Sequence, residues 1–459
     1  MFRQNKRVIK QLFSLGLPII LQCILQSMLP MIDQIMVGQF GDSTIAAIGI
    51  SGKLFNIYYY VLLALAGISA IYISQYWGSQ DLEMLPKTLR IPIITGLISV
   101  VLLFIAAFVF PLQSIGLFTP DREIAEMAAE YQKIYAVSAI PLLFTYIYAS
   151  LLRCTMKVKI PMISGIISVF LNTGLNYLLM FGVGPVKGMG AWGAVLATLI
   201  SRTDEFIILA VYVHCFDKRF KVTPFTVFSG KLDAAFRKRF ISSMLPLIMN
   251  NMCFIFADTV YSIFYGKMSM VDIAAQAIML PVQAFVVGLF AGMALATTIV
   301  IGTKLGSNDI EGAIADSRVI LRFILIASLI LSAIVALLSI VYLRFFKIDD
   351  ALRETSQYLL FASSAFLTAR VLNMVISQGV LESGGDTKFV LINNIIGPIC
   401  IGIPLAFLSY YVLHLPIYWM YSLVSLEEVF RIISCYIKYR KNDWAHNITI
   451  GSGSGKKEA

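Results

Sequence analysis

Charge is what this sequence lacks most. Only 14% of its 459 residues are Asp, Glu, Lys or Arg, while 58% are hydrophobic; soluble proteins carry about 25% charged residues. A soluble globular domain is excluded on that ground. Histidine is scarce, with three copies, and the six cysteines (Cys23, Cys154, Cys215, Cys253, Cys400, Cys435) are scattered with no CxxC pair. Such spacing is not that of a metal site. No Gx4GK[ST] loop occurs, so a P-loop nucleotide engine is excluded. The apolar stretches hold no His/Asp, Ser/His or metal constellation for intramembrane chemistry, and the chain is read as a non-enzyme without a cofactor or structural metal.

What is present is apolar length. Windows of ~20 residues with almost no charge recur, such as Ile91–Pro111 and Ile324–Leu343, each long enough to cross about 30 Å of hydrocarbon as a helix. The pattern predicts an all-α polytopic membrane protein with twelve transmembrane helices, near 12–37, 45–75, 90–111, 125–150, 160–182, 191–214, 239–265, 273–302, 316–343, 353–380, 388–412 and 415–438. The first run continues to Gly38 and reads as a retained helix rather than a cleaved signal. The closing GSGSGKKEA reads as a flexible linker or appended segment and is left out of the fold reading. A net charge of +10 raises nucleic acid as a partner. That reading fails because the cations are spread over short loops as an orientation bias. Arg3, Lys6, Arg7 and Lys10 share one side with Lys87, Arg90, Arg153, Lys157, Lys159, the Lys218–Arg239 run, and Lys438, Arg440 and Lys441. Both termini are therefore expected on the cytoplasmic side of the cell membrane.

The sequence repeats itself. Pro18 and Pro246 are 228 residues apart, as are Gly38 and Gly266, the IAA at Ile45 and at Ile273, and the GSQD at Gly78 and GSND at Gly306. Lys159 and Lys388 are 229 apart. This predicts an N-lobe at 1–215, a linker at 216–237, a C-lobe at 238–441 and a tail at 442–459. Six spans per copy make the repeat parallel, giving two bundles related by a pseudo-twofold along the membrane normal. Such bundles suit a gradient-driven carrier that opens to alternate sides. Pro18, Pro30, Pro141, Pro246 and Pro281 interrupt helices and permit bending.

Intramembrane ionisable residues are costly and mark function. Asp33 lies five residues before Gly38, about 7 Å by helical rise, in the outer half of helix 1. An acid at the bilayer centre costs roughly 2.5–3.5 kcal/mol on insertion scales, so Asp33 is either an ion-coupling group or an interfacial acid reaching water. Asp258 is a second coupling or substrate-cation site, or a structural hydrogen-bonding acid. Arg370, at mid-depth in helix 10, is expected to find a carboxylate or a helix end. Arg202 and Glu205, three apart beside Asp204, are expected to form a structural ion pair. Asn250, Asn251, Gln276 and Gln283 give the second lobe neutral polar groups. Met28, Met249, Met252, Met279 and Phe254 either line an adaptable substrate cavity or pack as ordinary apolar residues.

Several motifs, in order, resemble the multidrug and toxic compound extrusion (MATE) transporters: LPIILQCILQSMLPMIDQIMVGQFGDSTIAAIG, LLRCTMKVKIPM, LNTGLNYLLMFGVGPVKGMGAWGAVLAT, AAQAI with GTKLGSND, and LESGGDTK. The resemblance covers residues 10–440. It implies two six-helix lobes, and it places Asp33 at the helix 1 acid of the DinF-like branch's cation-coupling network. Asn172 and Asn176 fall at that network's helix 5 partners and Thr198 at a further member. The NorM-like branch carries acids in helices 7 and 10, where this chain has Phe254 and Leu372; the DinF-like branch is the closer match. Asp33, Asn172 and Asn176 suit H+ or Na+ as the coupling ion. The implied function is antiport of organic, cationic and amphipathic compounds by a monomer, with a lipid-linked precursor flippase of the same superfamily as the alternative.

Overall fold

The computed structural model describes residues 2–217, 222–229 and 232–450. Twelve long helical stretches follow one another. They are α1 (Phe2–Val37), α2 (Asp42–Gly78), α3 (Arg90–Phe104, extended by a π-helical turn to Val109), α4 (Arg122–Cys154), α5 (Lys159–Phe181) and α6 (Ala191–Val211). The second half has α7 (Ala234–Gly266), α8 (Met270–Gly306), α9 (Ile310–Tyr342) and α10 (Asp350–Met374, with a π-helical turn to Leu381). It ends with α11, which opens as Thr387–Ile395 and reaches Val412 through two π-helical stretches, and α12, built of Ile417–Val424 and Leu426–Arg440. A two-residue β-ladder, Gly182–Val183 with Val186–Lys187, is the one extended pairing among the described residues.

Ten of these helices are long and apolar enough to span a membrane, among the described residues. The two that fall short of the expected twelve on composition are α6 and α12. Both form helices at the expected places, but α6 carries Arg202, Asp204 and Glu205, and α12 carries Glu427, Glu428 and Arg431. Their charge is what separates them from the other ten.

The repeat extends to the backbone. α2 and α8 have 37 residues each and end at Gly78 and Gly306, 228 apart. Gln80 and Asn308, also 228 apart, both take positive φ (60° and 61°), and Met156 and Gly385, 229 apart, do so at 66° and 92°. Side chains repeat too: Asp81 accepts from the Met84 amide, as Asp309 accepts from that of Gly312.

The chain divides into two compact units, Leu21–Met244 and Met1–Ile20 with Leu245–Ile450. The division falls inside α1 and α7, not in the linker where the sequence repeat placed it. The opening of α1 belongs with the second copy because Gly292 of α8 has no side chain: a Cβ there would lie 2.8 Å from Ile20 N and Cα. Phe13 meets Phe323 edge-on at 5.3 Å in the same unit. Reciprocally, the opening of α7 belongs with the first copy. Phe240 and Phe236 sit 4.4 and 5.9 Å from the Tyr72 ring, and the Thr95 hydroxyl donates to Met244 Sδ at 3.9 Å. Within that unit the linker is anchored where Arg90 donates to the Val227 and Ser229 carbonyls at 2.7 and 2.6 Å. The second unit also runs past its expected end at 441. Trp444 is fully buried, donating to the Tyr439 carbonyl at 3.2 Å, and Asn447 donates to the Gly306 carbonyl at 3.3 Å.

Candidate functional site

In the first unit, α5 presents Asn172 and Asn176 on one face, four residues apart, and both are fully buried. Asn176 Nδ2 donates to Asp33 Oδ1 of α1 at 2.6 Å and to Asn172 Oδ1 at 3.1 Å. Asn172 Nδ2 in turn reaches Thr198 Oγ1 at 3.5 Å and Ser201 Oγ at 3.4 Å on α6. Ser168 completes the lock between α5 and α6 by donating to the Ser201 carbonyl at 2.9 Å. The four residues singled out by the sequence therefore form one continuous track, with Ser168 and Ser201 as members that sequence reading missed.

The track is rich in oxygen and poor in fixed charge. Asp33 is in no ion pair among the described residues, and Asn176 Oδ1 is buried without a hydrogen-bond partner. A buried acceptor left unpaired costs about 1–3 kcal/mol, and a carboxylate beside neutral amide and hydroxyl oxygens is the donor set that hard cations take. The same carboxylate can instead hold a proton. The chemistry available at this site is reversible capture of a small cation by one acid.

The second unit holds a denser network that the sequence reading largely missed. Arg370 does find a carboxylate: its Nε lies 3.4 Å from Glu428 Oε1. Glu428 Oε2 meets Arg431 Nη1 at 3.2 Å and accepts from Asn373 Nδ2 at 2.8 Å. Arg431 donates from Nε and Nη2 to Asn394 Oδ1 at 3.0 and 2.7 Å, and Asn394 Nδ2 donates to Asn250 Oδ1 at 2.6 Å. Alongside it the Tyr261 hydroxyl donates to Glu427. A small cleft opens on this network, lined by Gln283, Phe366, Arg370, Tyr421, Ser425 and Glu428. Gln283 Nε2 donates to the Tyr421 hydroxyl at 2.7 Å across it.

Other expectations fare differently. Arg202 and Glu205 do not close the ion pair their spacing suggested: Arg202 Nη1 and Glu205 Oε1 are both buried without hydrogen-bond partners. The cause is an aromatic competitor, since the Arg202 guanidinium lies 4.6 Å over the Phe55 ring of α2. Met279 is 2% exposed and packs in the apolar core with Ala275, Leu359 and Met420. Met249 and Phe254 are exposed, as is Asp258, while Gln276 is half-buried on α8. The side chain of Met28 lies outside the described residues.

One glycine shapes the second network. A Cβ at Gly402 of α11 would fall on the Tyr261 hydroxyl and Glu427 Oε2. Gly402→Ala is expected to cost about 1–3 kcal/mol, the usual penalty of overpacking. A lowered midpoint in a thermal melt of detergent-purified protein would register it. An unchanged midpoint would mean that α11 shifts freely.

Comparison with known proteins places this geometry. The family model described as MatE matches residues 18–178 and 246–408. Multidrug and toxin extrusion protein 1 of Xenopus tropicalis is 26% identical over 448 residues, covering 95% of this chain and 74% of that protein. The probable multidrug resistance protein NorM of Photorhabdus laumondii is 23% identical over 411 residues, 88% of each chain. Among solved structures, a mutant of the Vibrio cholerae MATE transporter VcmN superposes with a TM-score of 0.86 at 16% identity, covering 96% of this chain and 99% of that one. The outward-facing conformation of a multidrug resistance MATE family transporter of the MOP superfamily gives 0.84 at 17% identity, with 94% and 96% covered. With both halves of the repeat matched, the chain belongs to the MATE family of multi-pass membrane transporters.

Proposed function

We propose that this chain is a secondary antiporter of the cell membrane that exports organic, amphipathic cations in exchange for H+ or Na+ by alternating access. Coupling is assigned to Asp33 with Asn176, Asn172 and Thr198, a DinF-like use of the first half of the chain. The observation that carries this reading is the buried track from Asp33 to Ser201, which gathers one acid and several neutral oxygens and leaves Asn176 Oδ1 unsatisfied. The second network supports it by contrast. There Glu428 is committed to Arg370, Arg431 and Asn373, so it is poorly placed to exchange a cation.

Energetics set what the carrier can do. One proton entering for one monovalent cation leaving is electroneutral and draws on ΔpH alone. A second imported charge would add about 2.3 kcal/mol per 100 mV.

The test is transport of tetraphenylphosphonium in proteoliposomes under an imposed pH gradient and, separately, an imposed Na+ gradient. At least one gradient is expected to drive countertransport, and an ionophore that collapses it should stop the flux. Flux indifferent to both gradients, with translocation of a lipid-linked precursor instead, would establish the flippase reading.

A further inference from the structure

Arg202 occupies an unusual position. It lies on α6 one residue beyond Ser201, the end of the Asp33 track, and three residues before Glu205. Its charge acts on both carboxylates, yet among the described residues it is ion-paired with neither. It rests instead at 4.6 Å over Phe55, whose ring is packed against those of Tyr58 and Tyr135 at 5.8 and 5.5 Å. Each prospective partner keeps a free site: Arg202 Nη1 and Glu205 Oε1 are buried and unpaired. Glu205 itself is 5% exposed.

The repeat supplies an internal control. Arg431 lies 229 residues after Arg202, the spacing that separates Lys159 from Lys388. Arg431 is saturated by Glu428 and Asn394. In the first copy the acid has changed sides: Leu199 stands where Glu428 would be, and Glu205 lies on the following turn. Gly165 stands where Asn394 would be. The two partners that hold Arg431 are thus both missing around Arg202, and a single cation–π seat holds a guanidinium loosely enough for it to leave.

We propose that Arg202 is a movable countercharge, exchanging between Asp33 and Glu205 as Asp33 loses and gains its coupling cation. The idea rests on the assignment of Asp33 made above. When Asp33 is ionised it attracts Arg202. When a cation neutralises Asp33 that attraction ends, and Glu205 takes the guanidinium. The exchange passes the state of the ion site along α6 toward α4, where Arg153 also faces Glu205 and donates to Gln22 Oε1 at 2.6 Å. The groups facing Glu205 are Arg153 and Tyr146 from α4 and Arg202 and Asp204 from α6; those facing Asp33 are Asn176 from α5, Tyr135 from α4 and Arg202. Arg202 and Glu205 are positioning residues, since they act through Asp33.

Linkage fixes the signs. Any group that draws Arg202 away from Asp33 strengthens cation capture there. The measurement is displacement of bound tetraphenylphosphonium from the purified full-length protein by Na+ and, separately, by H+. Glu205→Gln is expected to weaken cation capture, raising the displacing concentration by about tenfold, a typical coupling factor. Arg202→Met should shift the midpoint the opposite way, and Glu205→Gln should then add nothing in the Arg202→Met background. A merely structural role would not give opposite single shifts of which the Glu205→Gln one vanishes once Arg202 is gone. Midpoints of Glu205→Gln and Arg202→Met that stay within twofold of wild type, or shifts that add in the double variant, would overturn the proposal. Should Glu205→Gln fail to assemble, the tighter midpoint of Arg202→Met alone decides, and its absence refutes the exchange. If wild type shows cation displacement that Asp33→Asn abolishes, the Asp33 assignment stands whatever Arg202 does. If wild type shows no displacement by either cation, both proposals fall together.

Discussion

Replacing Asp33 with asparagine is expected to remove gradient-driven export and leave the protein folded. Asparagine keeps the shape of the side chain and can still accept from Asn176 Nδ2, which now bonds Asp33 Oδ1 at 2.6 Å. What it loses is the negative charge, and with it the ability to bind and release a cation within the working range. The expected loss in countertransport is about 5–150-fold, the span of a coupling free energy of 1–3 kcal/mol. Abundance in the membrane should change little, because no ion pair is broken and the apolar packing of α1 is untouched. Asn172→Ala and Asn176→Ala should weaken the same flux less completely, since water replaces a neutral ligand more readily than a carboxylate. Proteoliposome flux under separate pH and Na+ gradients reads all three. Wild-type countertransport by Asp33→Asn under both gradients would remove the carboxylate from the mechanism.

Glu428→Gln is expected to damage the fold rather than the ion specificity. Glu428 lies between two guanidinium groups, Arg370 at 3.4 Å and Arg431 at 3.2 Å, and accepts from Asn373 at 2.8 Å. Neutralising it removes the carboxylate that Arg370 and Arg431 share from a buried position and leaves Arg431 to Asn394 alone. Breaking a buried pair by removing one partner costs roughly 3–5 kcal/mol. The variant should melt well below wild type in detergent and accumulate poorly. Material that does fold should keep the wild-type cation midpoint. A normal melting midpoint with altered cation dependence would instead make Glu428 part of the coupling machinery.

The two halves of this picture were unequally legible in the sequence. Helix positions followed from apolar length, and the repeat followed from Gly38, Gly78, Gly266 and Gly306, because glycines that end helices hold their register. The Asp33 track was legible because an acid in a greasy helix has few explanations and because the family resemblance set Asn172, Asn176 and Thr198 beside it; spacing alone showed only that the two asparagines share a face. The second network was not legible from local spacing, since its members come from α7, α10, α11 and α12. Only Arg370 raised the demand for an acid, and its spacing named no partner for it. The available signal was the Glu427–Glu428 pair in the last span, with Arg431 in register with Arg202. Arg202 and Glu205 show the opposite failure. Spacing along one helix predicted a bond, and a ring from a neighbouring helix intervened.

The exchange of helix openings between the two units bears on how the chain is made. Residues 2–20 leave the ribosome long before the α8 backbone around Gly292 that Ile20 approaches. The start of the chain must therefore wait, through synthesis of the whole first copy, for its packing partners to be inserted. Phe236 and Phe240 of α7 find Tyr72 already in place. Neither copy is thus a self-sufficient folding unit, and a nascent chain halted in the linker would hold one helix only half packed. The 228-residue repeat did not leave two independent bundles joined by a strand of polypeptide. It left halves that each complete the other, so assembly cannot finish until most of the protein exists.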